Sequence, residues 1–382
     1  MEKIIYLDNA ATTFPKPPEV ISEITGIMRY SCGNPGRSSH RIALAASDIV
    51  FECREKLGSF FGCDPENVIF TSSATHSVNL AVKTVLHRGD HVLISDIEHN
   101  SVLRPIAALA EKGMISYSIY RAFEDADQQL REIRHLIRPS TAMICACHHS
   151  NIFNFISPIH EIGRFCRNNG IIFLVDASQS AGSVSINMRN DCIDLLCAPG
   201  HKGLYGPPGI GFALFGDRFS IPHNLPDTFT EGGNGINSTE RSMPDFLPER
   251  LEAGTLAVPA IGGLSKGIDF VRGYRNGELY RNETQLCSAM RDRLKELPHI
   301  KIHGKRCGSI LLFSVSGCDS EEFASMLDRF GICVRAGLHC APLAHKKLGT
   351  PENGAVRVSF GAFNTIHDVN EFCAVTEKLL RK

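Results

Sequence analysis

The chain has 382 residues, of which 43% are hydrophobic and 21% charged, with a formal net charge of -1. This length suits two domains, or one large domain with an appendage, around a sizeable core. Near-neutral charge gives no footing for a nucleic-acid partner or an anionic membrane surface, and no apolar run reaches the ~18 residues of a membrane span.

The N-terminal MEKIIYLDNAATT lacks the long apolar stretch of a secretory signal, so the 14 cysteines read as reduced thiols of a cytoplasmic protein. Cys145 and Cys147 form an isolated C-x-C, and without paired C-x-x-C motifs no structural zinc site is expected. From about residue 65 to 215, short apolar runs alternate with longer helical patterns. The runs are VIFTS (68–72), HVLISD (91–96), AMICAC (142–147), IIFLVD (171–176), DLLCAP (194–199) and GFALF (211–215). Runs this short and continuous suit strands covered on both faces. Between them THSVNLAVKTVLH and ISPIHEIGRFCRNNG read as helices, the second stopping at Asn-Gly. The alternation predicts an α/β fold with a mostly parallel sheet, whose ligands gather at the C-terminal strand ends.

Residues 225–250 are polar and rich in Gly, Pro and Ser, which predicts a long functional loop. The stretch 258–297 reads as helical with one break, and strands near SILLFSV and VRVSF point to a smaller C-terminal α+β domain. The expected boundaries are 15–262 for the large domain and 263–382, together with 1–14, for the small one.

One segment, CAPGHKGLYGPPGIG (197–211), has the glycine frame of a nucleotide loop. A P-loop would follow Gly211 with Lys and Ser or Thr, but Phe212 and Ala213 stand there. The segment is therefore a turn entering a buried strand, and Lys202 needs another explanation.

Polar residues cluster where the predicted strands end: Ser72-Ser73-Ala74-Thr75, Glu98-His99-Asn100, His148-His149-Ser150-Asn151, Asp176 with Gln179, and His201-Lys202. Taken singly, these are caps, turn residues and satisfied histidines. Jointly they fit pyridoxal phosphate, which needs a Schiff-base lysine, a carboxylate on its ring nitrogen and a helix N-terminus for its phosphate.

The ordered motifs YLDNAATT (6–13), GNPGRSSH (33–40), EHNSVLRP (98–105), HHSNIFN (148–154), DASQSAG (176–182), GHKGLYGPPG (200–209), LEAGT (251–255) and RAGLHCAP (335–342) resemble those of the cysteine desulfurases. These are class V aminotransferases with the fold-type I pyridoxal-phosphate architecture, and RAGLHC resembles the Suf-type, group II, segment. The resemblance implies Lys202 as the Schiff-base lysine, Asp176 on the ring nitrogen, Gln179 on the phenolic oxygen and His99 stacked on the ring. It places Asn151 at the cofactor's oxygen edge or the substrate. It gives Ala74, Thr75 and His201 to the phosphate, with Thr255 reaching it from the partner of a homodimer. Arg357 would clamp the substrate carboxylate, with Arg335 assisting, and Cys340 would be the nucleophile, its thiolate favoured by His339 and Arg335. Cys333, in an apolar run, reads as core.

The implied reaction converts L-cysteine to L-alanine, holding sulfur as a persulfide on Cys340 for an acceptor protein or a reductant. Selenocysteine lyase and cysteine-sulfinate desulfinase share these motifs. A class V aminotransferase would not need Cys340, and a silent cofactor-binding protein would not need the full set. Four positions depart from the family pattern: Ser73, His76, Pro199 and Asn234. Three of them flank the expected phosphate cup, where a protonated His76 could replace lost donors.

Overall fold

The computed structural model describes residues 4–36, 39–236, 238–274, 277–350 and 352–381. Arg37 and Ser38 of the GNPGRSSH motif lie outside them. In chain order the strands are β1 (Ile5–Tyr6), β2 (Val68–Thr71), β3 (His91–Ser95), β4 (Ser116–Tyr120), β5 (Thr141–Cys147), β6 (Ile172–Asp176), β7 (Leu195–Pro199), β8 (Gly211–Phe215), β9 (Ile300–His303), β10 (Ile310–Val315), β11 (Ile332–Cys333) and β12 (Val356–Ser359).

Continuous apolar runs become central strands: β2, β3, β7 and β8 are buried at every position. They belong to a seven-stranded sheet ordered β2-β8-β7-β6-β5-β3-β4. Only β8 runs against its neighbours, β2 and β7, and the other pairs are parallel. Helices cover both faces. On one, Arg41–Phe61, Ile159–Asn168 and Val258–Arg272 bury Leu57, Ile162 and Leu264 against Phe173 and Phe212. On the other, Ala74–Val85 and Asn100–Glu111 bury Val78, Val82 and Ile106 against Val92 and Leu174. Each such side chain contributes about 1.5–3 kcal/mol on burial.

A second core forms on the antiparallel sheet β12-β10-β9, where Phe313 meets Phe323 and Phe372. Ile5 and Leu7 join this core, and β1 pairs with β11. The 262/263 boundary falls inside helix Val258–Arg272, where Leu264 and Ile268 still belong to the core of the large sheet. Residues 225–250 carry no helix or strand among their described positions, as their composition predicts. Among the described residues no helix is long and apolar enough to cross a membrane.

Candidate active site

Strands β3, β5, β6 and β7 are parallel, so their C-terminal ends open on one side of the sheet. Two glycines let the loops beyond β6 and β7 close on each other. A Cβ on Gly182 would lie 2.2 Å from the Gly203 carbonyl, and one on Gly203 would lie 2.3 Å from the Ala181 carbonyl. Only backbone fits between DASQSAG and GHKG.

The N-terminal strap fixes the lysine from below. The His201 carbonyl lies within hydrogen-bond reach of Thr13 N (3.1 Å), Thr12 Oγ1 (3.2 Å), Thr13 Oγ1 (3.1 Å) and Lys16 Nζ (2.8 Å). So many donors on one oxygen hold the His201–Lys202 peptide in a single orientation.

Above that peptide is a cleft of about 110 Å³ lined by Ala74, Thr75, His99, Asn151, Asp176, Gln179, His201 and Lys202, together with Ser73, Ser101, Cys147, His149, Ser178 and Pro199. Asp176 Oδ1 accepts from Ser178 N at 2.9 Å, and Ser101 Oγ lies 3.4 Å from its Oδ2. His99 caps the helix Asn100–Glu111, its Nδ1 accepting from Ser101 N at 3.0 Å. A backbone N–H can only donate, so the ring proton of neutral His99 sits on Nε2. Burial pushes His99 down, outweighing the opposing pull of Asp176. Burial also brings the Lys202 amine down to about 8, aided by Arg357 and Arg335 against Asp176. His201 is pushed down to about 4 by burial and by Lys202 and Lys16. Beneath the cleft, Glu98 is fully buried; burial and then Asp176 raise its carboxyl to about 8, while Ser95 Oγ and Cys147 N donate to it.

Gln179 donates its amide to the Ala10 carbonyl at 2.9 Å, leaving one N–H for a ligand. Asn151 gives its amide to the His339 carbonyl at 2.8 Å, and its buried Oδ1 has no partner. Arg357 is 2% exposed. It pairs with Asp8 at 2.7 Å and donates to the Asn151 carbonyl at 2.9 Å, while its Nε has no partner. Arg335 is exposed and meets Arg357 through backbone hydrogen bonds.

Cys340 is exposed, and its carbonyl accepts from Asn100 N at 2.8 Å, beside His99. The thiolate role expected of His339 needs correction. Its ring is buried against His345 and pushed down to about 2, chiefly by burial and by Arg357, so it carries no charge. Cys333 is only half-buried, because β11 is two residues long and lies beside the surface.

Of the four departures, Ser73 caps the helix Ala74–Val85, its Oγ accepting from His76 N at 3.2 Å. Burial lowers His76, whose Nδ1 lies 3.2 Å from Ser72 Oγ, so the expected protonated ring is not formed at neutral pH. Pro199 lines the cleft, whereas Asn234 bonds within its own loop to Glu249 O and Ile236 N. Thr255 stands exposed outside the cleft, 3.3 Å from Asn34 Nδ2.

The amides of Ala74 and Thr75 open a twelve-residue helix without intrahelical acceptors, and buried His201 Nδ1 is unpartnered beside them. A phosphate would satisfy these donors, and Asp176 would pair with a pyridinium nitrogen, so the residues fit pyridoxal phosphate.

Residues 5–372 match the family model described as aminotransferase class-V. A probable cysteine desulfurase from Methanothermobacter thermautotrophicus is 30% identical over 372 residues, covering 96% of this chain and 92% of its own. The chain belongs to the cysteine desulfurase family of class-V aminotransferases. The apo cysteine desulfurase from Thermococcus onnurineus NA1 shares its fold with a TM-score of 0.89 at 30% identity, covering 99% of this chain and 95% of that one. A cysteine desulfurase from Escherichia coli, at 25% identity over the same shares, gives 0.86. Enzymes of this family depend on pyridoxal phosphate.

Sequence reasoning missed Ser101 of this desulfurase-family cleft and Lys16 on the His201 carbonyl, and it gave Asn100 only as a strand-end polar residue, not as a donor to the Cys340 loop. The spacing His99-x-Ser101 at a helix start was the available signal for Ser101. Lys16 and Asn100 act through contacts distant in sequence, which carry no local signature.

Proposed function

We propose that the chain is a pyridoxal-phosphate-dependent cysteine desulfurase, converting L-cysteine to L-alanine and holding the sulfur as a persulfide on Cys340. One observation carries this reading: the loop bearing Cys340 is fastened to the cleft of Lys202 and Asp176 by the hydrogen bonds Asn151 to His339 O and Asn100 to Cys340 O.

Ala74, Thr75 and His201 would hold the cofactor's phosphate, Asp176 its ring nitrogen, and Gln179 its phenolic oxygen, with His99 against the ring. When bound, the cofactor supplies an electron sink for charge developing at the substrate Cα. Arg357 receives the substrate carboxylate at its free Nε–H, with Arg335 at the entrance and Asn151 Oδ1 available to an amino group. Lys202, with an amine brought down to about 8, takes the Cα proton as base near neutral pH. The Cys340 sulfur then attacks the substrate sulfur: the S–S bond forms, the Cβ–S bond breaks, a proton is delivered to Cβ, and Lys202 returns its proton to Cα to complete alanine. The persulfide passes to an acceptor protein or a reductant.

The enzyme is read as a cytoplasmic homodimer in which Thr255 reaches the partner's phosphate site. Its exposure outside its own cleft supports this, as do the exposed Phe51 and Phe246 on the neighbouring groove.

The test is product analysis of the purified holoenzyme with L-cysteine, selenocysteine and cysteine sulfinate. Stoichiometric alanine and sulfide from cysteine are expected. Turnover of only selenocysteine or only sulfinate would replace this assignment, and no product from any of the three would end it.

A further inference from the structure

The loop 335–340 is held in an unusual shape. His339 and Cys340 both adopt left-handed backbone, with φ of 51° and 56°. L-residues do not keep such conformations unless the surroundings impose them. The hydrogen bonds from the Asn151 side-chain amide and the Asn100 backbone N–H hold the carbonyls of these residues, but neither fixes the His339 side chain.

That ring starts a buried chain of polar atoms. His339 Nε2 lies 3.3 Å from the Arg335 carbonyl, and His339 Nδ1 lies 3.1 Å from His345 Nε2. His345 Nδ1 lies 2.8 Å from Thr350 Oγ1. The two imidazole planes are nearly parallel, at 7°, with centroids 5.3 Å apart, as an edge-to-edge N–H···N contact requires. Burial keeps both neutral, pushing His339 to about 2 and His345 to about 4. Each ring therefore has one N–H and one lone pair.

The direction of the chain follows from its ends. A carbonyl can only accept, so His339 must carry its proton on Nε2. Its Nδ1 is then a lone pair, which requires a proton on His345 Nε2. His345 Nδ1 is in turn a lone pair, which requires the Thr350 hydroxyl to donate. Thr350 Oγ1 also lies 3.3 Å from the His345 carbonyl, the longer of its two contacts. In this arrangement no polar atom of the chain is left unpaired.

We propose that His345 and Thr350 are positioning residues for the Cys340 loop: they pair the Nδ1 lone pair of His339, which keeps its Nε2–H clasped on the Arg335 carbonyl and holds Cys340 at the mouth of the cleft. The functional half of this proposal rests on Cys340 being the nucleophile. His345→Leu removes the donor to His339 Nδ1. His345→Gln keeps an amide N–H near the position of Nε2. Thr350→Val removes the terminal donor, and Thr350→Ser restores it.

The experiment combines imidazole NMR of the ¹⁵N-histidine-labelled holoenzyme with the rate of persulfide formation on Cys340. The wild type should show His339 as the Nε2–H form. His345→Leu leaves the buried Nδ1 lone pair without a donor, and it should shift the His339 ring signals and slow persulfide formation about tenfold or more, as expected for a displaced nucleophile. His345→Gln and Thr350→Ser should stay within about threefold of wild type, with Thr350→Val slower than Thr350→Ser. An Nδ1–H signal for wild-type His339, or His339 ring signals and a rate unchanged in both His345→Leu and Thr350→Val, would overturn the proposal. Cys340→Ala, measured alongside, keeps the two readings apart: full turnover there would sink the nucleophile assignment, while the His339 signal alone decides the tautomer.

Discussion

Asn100 donates its backbone N–H to the carbonyl of Cys340 at 2.8 Å, joining the residue after His99 to the exposed thiol. The contact spans the two cores: Asn100 opens a helix on the large sheet, and Cys340 follows β11, whose Ile332 lies in the small core. Cys340→Ala should therefore leave cofactor binding intact while abolishing persulfide formation and nearly all alanine release. Cys333→Ala should keep turnover and cost at most about 1 kcal/mol, because this side chain is half-buried and leaves little cavity. Sulfide release at the wild-type rate by Cys340→Ala would remove it as nucleophile.

Lys202 gives a pH prediction. An amine must lose its proton before it attacks an aldehyde, and burial lowers this one to about 8. Covalent incorporation of pyridoxal phosphate into the apo-protein should climb about tenfold per pH unit below 8 and level off above it. Borohydride reduction and peptide mapping should find the label on Lys202, and Lys202→Ala should take up none. A rate still climbing through pH 10 would show that the amine keeps its ordinary proton affinity.

At the phosphate end, Pro199 lines the cleft without an N–H or a hydroxyl to offer. Pro199→Ser adds a hydroxyl there, and dialysis should strip cofactor from the variant several-fold more slowly than from the wild type. Equal retention would mean that Ala74, Thr75 and His201 already satisfy the phosphate.

Thr255→Ala tests sharing between subunits. Within its own chain Thr255 meets Asn34 and lies outside the cleft, so its removal should cost little folding stability. In a dimer with shared sites it should weaken cofactor affinity about tenfold to a hundredfold, the range of one lost hydrogen bond to a charged group. A fully loaded, active monomer at micromolar concentration would exclude the role.

Stability away from the cleft is tested at Glu252, which pairs with buried Arg54 at 2.5 Å and accepts from Phe70 N at 2.6 Å. Glu252→Ala leaves a buried guanidinium without its counter-charge and should destabilise the fold by about 3–5 kcal/mol in chemical denaturation.

Legibility in the sequence followed burial. β2, β3, β6, β7 and β8 appear within a residue of their apolar runs because both faces of each are covered. β4, SYSIY, was not legible: it is an edge strand, and its exposed Ser116 and Ile119 break the apolar signal. The reversed direction of β8 was also hidden, since no local pattern encodes strand polarity. At the site, the residues on strand ends (Asp176, Lys202, His99, Asn151) came from motifs and meet in one cleft. Ring charge did not follow from neighbours in sequence. The sequence lets His339 favour the Cys340 thiolate and a protonated His76 replace phosphate donors, and burial pushes both rings toward the neutral form.

The strap of residues 5–13 has a mechanical consequence. Its first residues are stitched to β11, Leu7 lies in the small core, and Thr12 and Thr13 grip the carbonyl before Lys202. It works like a short tendon anchored on both bodies: a tilt of the small sheet pulls directly on the peptide that aims the lysine. A graft that swaps in another small core would therefore have to bring its own matching strap.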